Sequence, residues 1–106
     1  MNNRIEQLLE FIKIEPDEPF NRYALALEYM NFDVNLAKKH FEIIAKEHQN
    51  YLPLYYHLGK LYEELENYSE AVNIYKKGIE IALLQNNLKT EKELSNALKN
   101  CELENN

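Results

Sequence analysis

The chain has 106 residues, with 18 acidic and 12 basic side chains for a formal net charge of -6, and the two signs are interleaved along its length. That length holds one modest core and not two independent ones, and the charge argues against the phosphate-neutralising surface that nucleic acid or anionic lipid requires. Two glycines, three prolines and no tryptophan, against abundant Leu, Ile, Ala, Glu, Lys and Asn, favour helices and set the fold class as all-α before any pattern is read.

Met1-Asn2-Asn3-Arg4 leads straight into an amphipathic pattern with no apolar signal core, and no stretch approaches the roughly 20 apolar residues of a membrane span. A soluble, cytoplasmic protein is the expectation. The first apolar stripe, Ile5, Leu8, Leu9 and Ile12, is spaced i, i+3, i+4, i+7 and predicts a helix from about Arg4 to Lys13. Pro16 restricts Glu15 and stops it, after which Asp17 is the expected cap of a second helix, about Glu18 to Asn31, with Pro19 in its first turn. Leu25, Ala26 and Tyr29 are its apolar positions. A third helix, about Val34 to His48, carries Ala37, Phe41, Ile44 and Ala45.

Pro53 opens a fourth helix, about Leu52 to Leu65, bearing Tyr55, Leu58, Gly59, Tyr62 and Leu65 on one 3.6-residue period. Ser69 is the expected cap of a fifth, about Ser69 to Leu84, with Ala71, Ile74, Tyr75, Gly78, Ile79 and Ala82. A glycine inside a helix is about 1 kcal/mol worse than alanine, so Gly78 predicts that another helix crosses closely there. The sixth helix, about Lys89 to Leu103, has Leu94, Ala97, Leu98 and Cys101 on its apolar side and Lys89, Lys92 and Lys99 facing water, and Glu104-Asn105-Asn106 is expected to fray. Short connections make successive helices antiparallel neighbours.

The chain also repeats itself. Tyr23 to Tyr29 aligns with Tyr56 to Tyr62 at an offset of 33, so that Leu25 meets Leu58, Ala26 meets Gly59 and Tyr29 meets Tyr62. In the partner helices the offset is 34, pairing Ala37 with Ala71, Phe41 with Tyr75 and Ile44 with Gly78. One residue is missing from the first turn. The second copy, with Tyr55, Leu58-Gly59, Tyr62, Ala71 and Tyr75 in register, resembles the tetratricopeptide repeat, a helix pair of about 34 residues with small and aromatic residues at fixed places.

The resemblance spans about Phe20 to Leu84, and departs from the family where Arg22 stands in place of Tyr55, where Ile44 replaces a small residue, and where both copies lack the closing proline. It implies a single domain of the small bacterial type: an N-terminal flanking helix (1–16), repeat 1 (17–50), repeat 2 (51–86), and a C-terminal capping helix with a frayed tail (87–106). About six helices would stack as antiparallel pairs in a short right-handed superhelix, the flanking helices covering faces that a repeat cannot bury alone. In this family the first helix of each pair lines a concave groove. Here that places Tyr23, Leu27 and Met30 from one copy and Tyr56, Lys60 and Glu63 from the other as the candidate peptide-binding residues. The lysine and asparagine donors by which some members hold a C-terminal carboxylate are absent from both copies, where Tyr23, Tyr56 and Leu27 stand instead. Only Lys92 and Asn96 resemble that pair, which disfavours a chaperone tail as ligand.

Nothing in the residues points to catalysis. His40, His48 and His57 never fall at i, i+4, so no two share a helix face as metal ligands. Cys101 is the single cysteine and no phosphate loop or nucleophile elbow exists. Glu63, Glu64, Glu66 and Glu70 are read as a solvated charge cluster. Tyr29, Tyr62, Tyr75 and Tyr55 are read as core. The expectation is a non-catalytic adaptor, without metal or cofactor, that binds another protein or a peptide and neither nucleic acid nor membrane. The alternative is a self-associating homodimer that buries Phe11, Phe32, Ile81 or Leu84 against a second copy.

Overall fold

The computed structural model describes residues 3–105. Met1, Asn2 and Asn106 fall outside the described residues, and with them the reading of the first two positions and the fraying of the last. Six helices and no strand make up the rest: α1 (Asn3–Ile14), α2 (Pro19–Tyr29), α3 (Val34–Glu47), α4 (Leu54–Glu64), α5 (Tyr68–Leu84) and α6 (Leu88–Glu104). The expected all-α class is found, with each helix within a few residues of its predicted bounds. Two compact units divide the chain, Met1–Tyr51 and Leu52–Asn106.

Helix ends moved where backbone chemistry overrode the simplest cap. Pro19 takes the first helical position of α2, so the cap is Glu18 and not Asp17, its carboxylate accepting from the Phe20 N–H at 3.2 Å. Asp33 caps α3 through Leu36 N–H and Asn87 caps α6 through Thr90 N–H, both at 3.1 Å. Ser69 is not a cap: α5 begins one residue earlier, after Asn67. The cause lies in the end of α4, where Glu66 adopts a left-handed φ of 62° and Asn67 N–H returns to Tyr62 C=O, closing the helix with a paired turn. The end of α5 repeats this with Asn86 at φ 56° and Asn87 N–H bonded to Ala82 C=O. At the C-terminal end of α6, Glu104 is helical and Asn105 donates to the Cys101 carbonyl at 2.8 Å.

In the first unit α1 packs on α2 and α2 on α3, around buried Leu8, Leu25, Ala26, Ala37, Phe41 and Ile44. Of the α1 stripe only Leu8 is fully buried and Leu9 is exposed. Tyr29 is half-buried and not core. It lies at the last residue of α2, where its ring meets Phe32 at 5.7 Å and stacks on His40 at 5.5 Å.

In the second unit α5 packs against both α4 and α6. A Cβ built on Gly78 would stand 2.6 Å from Tyr55 Cβ and 2.9 Å from Leu94 Cδ1. The predicted close crossing is therefore present, from both neighbouring helices. Ile81, expected to be left for a second copy, is instead 4% exposed and part of this core. It lies three residues beyond Gly78 on α5, and i, i+3 positions share a helix face.

Candidate functional site

Tyr56, Lys60 and Glu63 are spaced i, i+4, i+7 and share one stripe of α4. Tyr56 is 40% exposed. The Lys60 ammonium stands 5.7 Å from the centroid of its ring and 4.0 Å from Glu63 Oε2, with side-chain exposures of 44% for Lys60 and 15% for Glu63. Glu63 is thus set apart from the cluster it was read into: Glu64, Glu66 and Glu70 are exposed, whereas Glu63 turns inward to accept a hydrogen bond from the buried Tyr75 hydroxyl.

Gly59 makes that bond reachable. A Cβ there would fall 2.6 Å from Tyr75 Cζ, so the missing side chain is what lets the Tyr75 ring of α5 come this close to α4. Burial first, then the hydrogen bond to Glu63 and its charge, push the Tyr75 phenol well above its ordinary range. Burial and the same carboxylate raise the Cys101 thiol, which is fully buried on α6. One acidic group therefore gathers Lys60, Tyr75 and Cys101 around it, beside an exposed aromatic ring.

The corresponding stripe of α2 has different chemistry. Tyr23, Leu27 and Met30 are all half-buried. The Tyr23 ring meets Tyr51 edge-on at 5.4 Å and Phe41 at 6.2 Å, and burial raises its phenol. Beside it Arg22 Nη1 lies 2.9 Å from His40 Nδ1. A guanidinium only donates, so Nδ1 accepts and the imidazole is neutral with its proton on Nε2. Burial, then the charges of Arg22 and Lys39, lower the His40 pKa accordingly. The two trios belong to different compact units. Within its own unit the α4 trio is brought into mutual contact, while Tyr23 is held by residues outside its trio.

Sequence reading missed Tyr75, Phe41, Tyr51 and Cys101 as neighbours of these faces. A signal was available in the alignment: Tyr75 and Glu63 of the second copy replace Phe41 and Met30 of the first, a hydroxyl and its acceptor arriving together. Among the described residues no three His, Cys, Asp or Glu converge as metal ligands, and no helix is long and apolar enough to cross a membrane.

A family model described as Tetratricopeptide repeat matches residues 52–83. The solution NMR structure of a tetratricopeptide repeat domain protein from Salinibacter ruber is 39% identical over 83% of this chain and 90% of its own, with a TM-score of 0.79. The chain belongs to the tetratricopeptide repeat family. A crystal structure of a tetratricopeptide repeat domain protein from the same organism agrees, at 38% identity, 80% and 97% coverage of the two chains, and a TM-score of 0.77. No curated protein matches the chain. Tetratricopeptide repeats generally serve protein–protein interaction and are generally non-catalytic, and the Leu58-Gly59, Tyr62, Ala71 and Tyr75 positions that carry the resemblance are here all buried.

Proposed function

We propose that this tetratricopeptide repeat protein is a cytoplasmic adaptor whose 1–16, 17–50, 51–86 and 87–106 segments act as one domain. It binds a peptide or helix of a partner protein through Tyr23, Leu27 and Met30 of α2 and Tyr56, Lys60 and Glu63 of α4. The observation that carries this reading is Tyr56: a large ring, 40% exposed, on a helix whose Leu54, Tyr55, Leu58, Gly59, Leu61 and Tyr62 are buried in the core. Tyrosine combines contact area with a polar tip and is favoured at interfaces. Affinity capture with the whole chain, mass spectrometry of what is retained, and titration of the recovered partner against Tyr56→Ala and Lys60→Ala test it. A partner whose affinity neither substitution changes removes the α4 face from the account.

Self-association is the second reading. Phe11 and Phe32 are exposed and Leu84 is 75% exposed, although Ile81 no longer contributes. Light scattering that finds a monomer at high concentration eliminates it.

A further inference from the structure

We propose that the Tyr56, Lys60 and Glu63 face of α4 is a cradle for a cationic side chain of the partner, an arginine or lysine, and that Lys60 occupies it in the unbound chain. This rests on the reading that α4 is a binding face and adds the chemistry of the guest. The acceptors converge on Lys60: the Glu63 carboxylate, turned inward and held by Tyr75, and the π-face of the partly exposed Tyr56 ring over which the ammonium lies. Carboxylate beside aromatic face is the combination that suits an ammonium or, better, a planar guanidinium.

The chain supplies its own example of the guest. Lys60 Nζ sits over the Tyr56 ring at 5.7 Å and 4.0 Å from Glu63 Oε2, in contact with both walls but beyond the 2.7–2.9 Å of a tight charge-assisted bond. It is also nearly half exposed on a flexible stem, so it swings into water readily when a better-fitting cation arrives. An anionic guest would use Lys60 alone and meet the Glu63 carboxylate behind it. The net charge of -6 steers cations toward the chain and anions away.

Packing does not require this set. The first copy places Leu27, Met30 and Phe41 where the second has Lys60, Glu63 and Tyr75, and Phe41 is fully buried there. Ammonium, carboxylate and hydroxyl thus enter together in one copy only, as parts of one device.

The test is an NMR titration of the full chain with three capped alanine peptides that differ only in carrying two arginines, two glutamates or two glutamines. The arginine peptide is expected to shift the Tyr56, Lys60 and Glu63 amides most. Lys60→Met, which keeps the stem and removes the competitor, should tighten that peptide about two- to fivefold. Glu63→Gln, which retains an acceptor for Tyr75, should weaken it at least as much, with an unchanged far-UV spectrum showing that the fold is intact. If the glutamate peptide moves these amides more and Lys60→Met weakens it, the face binds but the cation cradle is wrong. If the arginine and glutamine peptides shift them equally, charge has no part and the cradle is likewise overturned, while the binding face stands. If none of the three peptides moves these amides, the cradle is overturned, and the adaptor reading is then judged by the partner titration alone.

Discussion

Gly78→Ala separates helix propensity from packing by the sign of its effect. In an exposed helix the change would stabilise by about 1 kcal/mol. Here the new Cβ meets Tyr55 Cβ at 2.6 Å and Leu94 Cδ1 at 2.9 Å, and ordinary carbon contacts start near 3.5 Å. A gap of about 1 Å must open. Leu94 can adjust by rotamer, but Tyr55 Cβ is fixed to the α4 backbone, so the helices themselves must separate. Overpacking costs about 1–3 kcal/mol, and a clash with an atom fixed to the backbone belongs in the upper part of that range, about 2–3 kcal/mol, which outweighs the propensity gain. The expected outcome is a net loss of about 1–2 kcal/mol, or roughly 4–16 °C in Tm for a domain of this size. Urea denaturation followed by circular dichroism at constant m-value measures it, with Asn73→Ala on the exposed side of α5 as the propensity control. A Gly78→Ala protein as stable as the parent or more so would refute the close crossing.

The Tyr75–Glu63 bond should behave as a pair: Tyr75→Phe is expected to lose about 1 kcal/mol, while adding Glu63→Met, which imports the first copy's combination, should recover most of it. A double-mutant cycle without coupling would sink that account. His40 has a folded pKa below its ordinary 6.5, so the unfolded chain takes up the proton first and the stabilisation, complete above about pH 6.5, is lost as pH falls through that value and below. Thermal melts from pH 7.5 to 5 should show the decline, and His40→Asn, which keeps an acceptor for Arg22 without titrating, should reduce its slope. Part remains because burial also depresses His57. An NMR titration placing the His40 pKa above 6.5 would contradict the assignment.

The core of the second unit was legible because its signals are categorical: glycine at 59 and 78 states that something large lies close, and Tyr75 and Tyr55 are what lie there. The first unit was less so. Arg22 and His40 stand where the second copy has Tyr55 and Ile74, and their hydrogen bond follows from which side chain turns toward which, something that spacing alone does not encode. The missing residue between the first copy's helices also found its explanation. Asp33 caps α3 directly, and no residue of that turn takes the left-handed conformation seen at Glu66 and Asn86. For the α4 stripe, helical period placed three residues together and could not tell that Glu63, unlike its acidic neighbours, faces inward. That depended on a hydroxyl twelve positions away.

The turns after α4 and α5, Leu65-Glu66-Asn67 and Gln85-Asn86-Asn87, follow the same backbone path with only the last residue in common. In each, the final asparagine both seals the helix behind it and opens the one ahead. A joint written in main-chain bonds makes few demands on its other side chains, so within this unit the angle between helices is inherited separately from the chemistry displayed on them. Such a scaffold can exchange what it recognises without relearning how to fold.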